Sequence, residues 1–473
     1  MQDVHEVYCR YCKRVLEGWV EGEPQSHPDC REMVEGNPPV RKILGHIGEE
    51  LYGKTLDELM VSGQLVYEVE EGRVKKLRIE VPVNDELELE SYEKEQSSLL
   101  ESYEVEQSSL LENIGVFTDL RELELVDSVL GSSSEWICRL VNLRRLCLNG
   151  CYLTSLSDNF GKLTNLQVLD LGGNELSSLP ERISQLTNLQ VLDVQLNNLT
   201  SLPESIGQLT NLRELNLDNN QLTSLPERIG QLTNLRELNL DNNKLTSLPE
   251  SLGNLTVLEK LRFCHKNQLS SLPESIGQLT NLRELWLSQT QLSSLPESIG
   301  QLTNLLSLDL MWNHLSSLPE SIGRLTNLRE LFLSGNQLSS LPVCLCNLTN
   351  VEKLWLSDNY LTLLPDNVSG LTNLRVLELN NNQLSSLPES FGNLNKLVSL
   401  SLENNQLSSL PESFGNLNKL VSLSLENNQL SSLPESFGNL NKLRKLYLSN
   451  NQFSSPPTCV EKLWTNGCTI AFN

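Results

Sequence analysis

The sequence lacks any long apolar run. No stretch approaches the roughly 20 consecutive apolar residues that a membrane-spanning helix needs. The first residues, MQDVHEVYCRYC, contain no apolar segment of the kind found in signal peptides. Basic residues are also scarce, with 36 Lys and Arg against 60 Asp and Glu, and the net charge is −24. We therefore expect a cytoplasmic protein that spans no membrane, avoids nucleic acid and binds a protein partner with a basic or mixed surface.

Catalytic motifs are absent as well. The sequence has no P-loop, no nucleophile elbow and no protein-kinase signature. It has only five histidines, and those in the regular part of the chain stand alone. The eleven cysteines are an odd number scattered over a long chain, which does not indicate a disulfide framework. These absences predict a protein that is not an enzyme.

What the sequence does contain is a 23-residue block, LxxLxLxxNxLxxLPxxIGxLTN, repeated about fifteen times. Of the fourteen intervals between blocks, thirteen are 23 residues long and one is 24. The first positions of the blocks are Leu120, Leu143, Leu166, Leu189, Leu212, Leu235, Leu258, Leu282, Leu305, Leu328, Val351, Leu374, Leu397, Leu420 and Leu443. We number the blocks as repeats 1 to 15. A fixed period with this internal pattern is typical of stacked structural repeats.

Each part of the block predicts a local structure. The leucines at the first, fourth and sixth positions should point inward from a short strand, and the residues between them should face outward. The asparagine at the ninth position should satisfy buried backbone groups in a ladder, with Cys151 replacing it in repeat 2 and Thr290 in repeat 8. The Leu-Pro step should end strand pairing and begin a short helical turn. The predicted fold class is an α/β solenoid, a horseshoe with a parallel concave β-sheet.

The LPxxIGxLxxL step resembles the leucine-rich repeat proteins of the Ras-group type, over about 360 residues of the chain. This resemblance implies a scaffold for protein–protein interaction, often in signalling. The family's partners are diverse, so the resemblance does not name a partner for this chain.

The repeats divide the chain into five predicted segments. Residues 1–38 form a cysteine-containing module, 39–83 a cap with short helices and a hairpin, and 84–119 an acidic duplicated segment with a degenerate repeat. Residues 120–455 are the regular repeats, and 456–473 form a C-terminal cap with a short helix and a last strand. The duplicated segment, ESYEKEQSSLL followed by ESYEVEQSSLL, is equally well explained as a charged flexible linker.

The N-terminal module has the ligand spacing of one zinc site. Cys9 and Cys12 form one pair, and His27 and Cys30 form the other. Four protein ligands would close a tetrahedral Zn²⁺ site, which makes it structural and not catalytic. Binding would then supply most of the folding free energy of so small a module. The alternative is that four such residues occur together by chance.

Large side chains cluster at one point of the predicted concave face. The fifth position is Arg262, Trp286, Asp309, Phe332 and Trp355 in repeats 7 to 11, and Met311 and Trp312 follow in repeat 9. Exposed aromatic residues on a rigid sheet are typical of binding hot spots, and Asp309 could hold a basic group of the partner. The alternative is that the aromatic residues stack on each other and only protect the sheet.

Two further features direct attention to repeats 7 to 11. Residues 384–406 are repeated without change at 407–429, which indicates a spacer and not a tuned contact surface. The single inserted residue falls near Cys264, His265 and Lys266, where it should bulge a turn or be merely tolerated. We therefore predict an intracellular scaffold that binds its partner through this face. The alternatives are an adaptor or regulatory subunit, for example of a ubiquitin ligase, that recruits through the zinc module, and nucleic-acid recognition by that module.

Overall fold

The computed structural model describes residues 65–70, 73–80, 112–128, 130 and 134–472. Several predictions from the sequence lie outside these residues: the zinc ligands Cys9, Cys12, His27 and Cys30, the helices within 40–62, and the acidic duplication at 90–111. The chain divides into two compact units, one ending at Leu222 and the other beginning at Thr223. Each unit is described separately below.

The described part of the first unit begins with a hairpin, as the sequence predicts. Its described strands are β1 (Leu65–Glu70), β2 (Arg73–Glu80), β3 (Glu122–Val126), β4 (Arg145–Cys147), β5 (Val168–Asp170), β6 (Val191–Asp193) and β7 (Glu214–Asn216). Strands β1 and β2 pair antiparallel, and β2 then pairs parallel with β3. From β3 to β7 each strand pairs parallel with the next. The hairpin therefore covers the edge that β3 would otherwise leave open.

The second unit continues the same pattern. Its described strands are β8 (Glu237–Asn239), β9 (Lys260–Arg262), β10 (Glu284–Trp286), β11 (Ser307–Asp309), β12 (Glu330–Phe332), β13 (Lys353–Trp355), β14 (Val376–Glu378), β15 (Ser399–Ser401), β16 (Ser422–Ser424), β17 (Lys445–Tyr447) and β18 (Thr469–Ala471). From β8 to β18 each strand pairs parallel with the next. The predicted terminal helix and strand are confirmed as α1 (Thr458–Thr465) and β18.

A short 3-10 helix follows the strand in repeats 1 to 14, and one more, Glu112–Val116, precedes repeat 1. In the first unit these helices are Glu112–Val116, Ser134–Arg139, Asp158–Lys162, Glu181–Gln185 and Glu204–Gln208. In the second unit they are Glu227–Gln231, Glu250–Asn254, Glu274–Gln278, Glu297–Gln301, Glu320–Arg324, Val343–Asn347, Val368–Gly370, Glu389–Asn393, Glu412–Asn416 and Glu435–Asn439. The proline of the Leu-Pro step usually precedes the helix in an extended conformation, as Pro319 does with φ −66° and ψ 150°. Its fixed φ ends the strand-like segment and leads into the turn.

The core of each unit lies between the strands and the 3-10 helices. The leucines at the first, fourth and sixth positions are almost completely buried; Leu305, Leu308 and Leu310 each expose 0% of their surface. The Ile or Phe of the helical turn is buried beneath them, and Phe391, Phe414 and Phe437 stack in successive repeats with ring centroids 6.0 Å and 5.8 Å apart. Each repeat therefore gains its stability from contacts with its neighbours.

The asparagine ladder is also confirmed. The Asn313 side-chain amide donates to the carbonyls of Leu287 (2.8 Å) and Leu310 (3.0 Å), and its Oδ1 accepts from Leu292 N–H (2.9 Å). Where other residues replace the asparagine, the Cys151 thiol donates to Leu125 O at 3.3 Å, the Thr290 hydroxyl to Leu287 O at 2.9 Å, and the Ser128 hydroxyl of repeat 1 to Val126 O at 3.3 Å. Buried backbone groups are satisfied at each step, which fixes the spacing of the repeats.

The eighth position of every repeat adopts a left-handed backbone, which the sequence analysis did not predict. Its φ is positive whether the residue is Gly335, Asn404, Leu196 or Trp312. The inserted residue of repeat 7 extends this turn, because His265 and Lys266 both have positive φ, 53° and 48°. The insertion is thus confined to the turn and leaves strand β9 in register with β10.

Candidate functional site

The candidate site is the exposed face of strands β9 to β13 and of the turn after β11. We call it the aromatic patch and define it as Arg262, Trp286, Asp309, Met311, Trp312, Phe332 and Trp355. The sheet register places Arg262 beside Trp286, Trp286 beside Asp309, Asp309 beside Phe332, and Phe332 beside Trp355. Neighbouring strands in a sheet are about 4.8 Å apart, so the five fifth-position side chains form a continuous row. The structure thus brings the predicted residues together.

Arg262 is held in place by two contacts within the chain. Its Nε donates to Asp241 Oδ2 at 2.9 Å, and its Cζ lies 4.2 Å from the centroid of the Trp286 ring. Asp241 is itself buried and accepts a hydrogen bond from Cys264 N–H at 2.6 Å. The Trp286 ring, by cation–π stacking, and the Asp241 carboxylate, by a charged hydrogen bond, therefore fix the position of the Arg262 guanidinium.

Asp309 is a half-buried carboxylate between two aromatic neighbours. Its Oδ1 accepts from Met311 N–H at 2.9 Å. Burial raises the pKa of Asp309 above the ordinary aspartate value, while hydrogen bonds from Met311 and Ser288 and the nearby His265 act against that rise. Among the described residues, no lysine or arginine forms an ion pair with this carboxylate. Its charge is therefore available to an external cation.

Phe332 and Trp355 form an edge-to-face pair, with ring centroids 4.9 Å apart and planes at 73°. Part of the alternative reading is therefore correct, because these two aromatic residues do pack on each other. Both nevertheless remain partly exposed. The Trp355 Nε1 is buried and has no hydrogen-bond partner among the described residues.

Trp312 is the most exposed member of the patch, with 54% of its surface accessible. Its ring lies over Gly335 of the next repeat, and a Cβ built at Gly335 would come within 2.4 Å of the ring. Gly335 also has φ 72°, so glycine is favoured there both by the space and by the backbone. Met311, beside it, is half-buried.

The rest of the fifth-position column corrects the prediction of a uniformly exposed surface. Cys147 is only 6% exposed, and its thiol lies 3.3 Å from Asp170 Oδ2. Burial, with Asp170 close by, raises the Cys147 pKa to about 12. The fifth-position aromatic residues of the patch, Trp286, Phe332 and Trp355, are half-buried and not fully exposed, because they pack against side chains of adjacent strands.

Sequence reasoning missed three residues that support the patch. Asp241 anchors Arg262, Ser288 donates to Asp309, and Gly335 makes room for Trp312. The signal for Asp241 was available, since an acid at the seventh position lies diagonally next to the fifth position of the following repeat. The roles of Ser288 and Gly335 could not be predicted, because they depend on the side-chain conformations of Asp309 and Trp312.

The metal prediction stays a prediction, because Cys9, Cys12, His27 and Cys30 are not among the described residues. Within the part of the chain that the structure describes, no group of His, Cys, Asp and Glu is arranged to hold a metal ion. In the same part, no helix is long and apolar enough to cross a bilayer.

Comparison with known proteins decides the family. The model of a leucine-rich repeat region matches residues 102–217, 193–288, 264–363 and 362–465, which together cover well over half of the chain. The chain is a leucine-rich repeat protein. Members of this family are typically non-enzymatic and bind protein partners.

Solved structures agree with this assignment. A leucine-rich repeat protein of Leptospira interrogans is 40% identical, with 76% of this chain and 91% of that chain covered and a TM-score of 0.69. The ectodomain of the membrane receptor kinase GASSHO1/SCHENGEN3 of Arabidopsis thaliana, solved in complex with CASPARIAN STRIP INTEGRITY FACTOR 2, is 33% identical; the match covers 76% of this chain and 48% of that chain, at a TM-score of 0.57. The plant peptide hormone receptor RGFR1, in complex with RGF2, is 29% identical over 76% of this chain and 67% of that chain, at a TM-score of 0.59. No curated protein matches this leucine-rich repeat protein.

Proposed function

We propose that this leucine-rich repeat protein is a scaffold that binds a protein partner through the aromatic patch. The observation that carries the proposal is the row Arg262–Trp286–Asp309–Phe332–Trp355 on adjacent strands, with Trp312 exposed beside it. Large aromatic side chains and arginine supply most of the free energy at protein interfaces, and a rigid sheet holds them without a large entropy cost. The two plant receptors, each solved with its bound ligand, support the proposal by analogy.

A role in intracellular signalling, as in the Ras-group type, is the finer form of this proposal. It rests on the LPxxIGxLxxL step and on the sequence-based expectation of a cytoplasmic location. The partner would carry a basic or mixed surface, because the net charge of the chain is −24.

The proposal is tested by affinity capture from a lysate of the source cells, read by mass spectrometry. The wild type is compared with the double variant Trp286→Ala/Trp355→Ala and with Tyr447→Ala. Tyr447 occupies the same fifth position in strand β17, outside the patch, and so controls for removal of an aromatic side chain. We expect a partner that wild type and Tyr447→Ala capture and the double variant loses, while circular dichroism shows all three folded. Capture of the same proteins by all three would contradict the proposal.

A second proposal is that residues 1–38 form a structural zinc module that recruits another protein, as in an adaptor of an enzyme complex. It is supported by the spacing of Cys9, Cys12, His27 and Cys30. We expect one zinc per chain by elemental analysis of the full-length protein, and loss of that zinc in Cys9→Ser/Cys12→Ser. The control Cys344→Ser/Cys346→Ser should keep it. Equal zinc content in wild type and the Cys9→Ser/Cys12→Ser variant would exclude the module.

A further inference from the structure

Arg262 shows how this surface binds a guanidinium group. The group lies over the Trp286 ring and against the carboxylate of Asp241, at 4.2 Å from the ring centroid and 2.9 Å from Oδ2. Here the chain supplies the cation, the aromatic face and the acid from three successive repeats. The charge of Asp241 is therefore already paired with Arg262 and does not attract a cation of a partner.

Asp309 is likewise a carboxylate next to aromatic rings, but no lysine or arginine of the described residues pairs with it. It lies on the strand between Trp286 and Phe332, so an aromatic ring stands on each side of it in the sheet register. Its hydrogen-bond donors, Met311 N–H and Ser288, are neutral. The ionisable side chains that act on it electrostatically are His265 and Asp241, and Asp241 is already paired with Arg262.

We propose that the partner inserts an arginine side chain between Trp286 and Phe332 and pairs its guanidinium with Asp309. This proposal rests on the proposed function, because it names the chemistry of the partner at the same patch. A planar guanidinium can stack on aromatic rings while donating to a carboxylate, whereas the compact, strongly hydrated lysine ammonium stacks less well. The net charge of −24 attracts such a basic segment at long range.

The sequence of the chain supplies a conservative variant for the test. Asn216 and Asn239 occupy the same fifth position, and their Oδ1 atoms accept from the N–H two residues later, at 3.2 Å and 3.1 Å. Asp309 makes the same backbone contact, so Asp309→Asn removes the charge and keeps the local fold. Asp193→Asn is the matched control, because Asp193 makes this contact to Gln195 N–H at 3.0 Å and has no aromatic neighbour in the column.

The direct test uses N-acetyl-arginine amide as the probe and N-acetyl-citrulline amide as its uncharged isostere. The full-length protein is labelled with 5-fluorotryptophan, and the resonance of Trp286 is identified by its disappearance in Trp286→Phe. We expect the arginine probe to shift this resonance in wild type and in Asp193→Asn. In Asp309→Asn the affinity should fall about tenfold or more, as is usual when one partner of a charge-assisted hydrogen bond is lost.

Four results would overturn the inference. One is the absence of a shift with the arginine probe, another is an equal shift with citrulline, and the third is unchanged affinity in Asp309→Asn. Equal affinity for N-acetyl-lysine amide would also contradict it, because the site would then be a general cation site.

Affinity capture separates this inference from the proposed function. Loss of the partner in Asp309→Asn, with capture kept in Asp193→Asn, supports both. Capture by Asp309→Asn together with loss in Trp286→Ala/Trp355→Ala overturns the arginine contact and leaves the proposed function standing. Capture by every variant overturns the proposed function itself.

Discussion

At the scale of single residues, the asparagine ladder shows how one side chain organises the turn of a repeat. Asn313 serves backbone groups of its own repeat and of the preceding one, and it is almost fully buried. Where the ladder residue is Cys151 or Thr290, the residue that follows, Tyr152 or Gln291, also takes a positive φ. The asparagine side chain therefore sets the backbone conformation of the residue after it, as well as satisfying the hydrogen bonds of buried backbone groups.

Asn313→Leu should destabilise the protein, because the N–H groups of Thr290 and Leu292, which donate to Asn313 Oδ1, would stay buried without partners. We expect a loss of about 1–3 kcal/mol, measured as a lower midpoint of urea denaturation. The control is Asn404→Leu, since Asn404 is exposed and Leu196 already occupies the same eighth position with positive φ. A similar small change in both variants would show that the ladder amide contributes little.

The raised pKa of Asp309 predicts a pH dependence of stability. A carboxyl whose folded pKa lies above its unfolded value binds more protons in the folded state, so it destabilises the fold as the pH rises through that interval. Asp309→Asn should therefore match the wild type near pH 4 and become more stable than it toward about pH 7, as measured by thermal unfolding. A variant that is less stable than the wild type at neutral pH would contradict this prediction.

At the scale of secondary-structure elements, the 3-10 helices pack so closely that most repeats leave little room for a Cβ at the glycine of the IG step. A Cβ on Gly392 would lie 2.1 Å from the Ser413 carbonyl oxygen of the next repeat. Repeat 10 has Cys346 at this position, and the following helix is correspondingly short, Val368–Gly370, beginning after Asn367 and not after a proline. Ser184 holds the same position in repeat 3, where the following helix, Glu204–Gln208, keeps its ordinary length, so a larger residue is accepted in some repeats without such a change.

Gly392→Ala should thus strain the backbone, at a cost of about 1–3 kcal/mol as is usual for overpacking. Gly115→Ala is the matched control, because the nearest atom to its Cβ would be 3.8 Å away. Urea denaturation of the two variants measures the difference. Equal midpoints would mean that the 3-10 helices move apart more easily than their contacts suggest.

The strands and turns were largely predictable from the sequence because they depend on contacts within one repeat or between neighbours. The hairpin at 65–80, the Asn ladder and the terminal helix Thr458–Thr465 followed from local patterns. The burial of Cys147 and the Arg262–Trp286 contact did not follow, since both depend on side-chain conformations across strands. The repeat pattern predicted which residues form the patch. Only the structure shows that no lysine or arginine of the described residues pairs with the Asp309 carboxylate.

At the scale of the whole molecule, irregular residues and regular repeats have different roles. The inserted residue, the paired Arg262 and the aromatic side chains all fall in repeats 7 to 11, whereas 384–406 and 407–429 are identical in sequence. Each repeat contacts mainly its neighbours, so stability is close to a sum over repeats and interfaces. Specificity is not a sum, because it depends on the particular side chains at the patch.

Deletion of one whole repeat tests directly whether the regular repeats contribute only stability and repeats 7 to 11 contribute specificity. Removing 384–406 joins Gln383 to Leu407, which recreates the Asn-Gln-Leu junction found at Gln406. We expect a folded protein with a slightly lower denaturation midpoint and full capture of the partner. Removing 305–327 deletes the same number of residues in register but takes Asp309, Met311 and Trp312, so the fold should persist while capture is lost. If removal of 384–406 abolished capture instead, the identical repeats would contain binding residues, and the aromatic patch alone would not define the site.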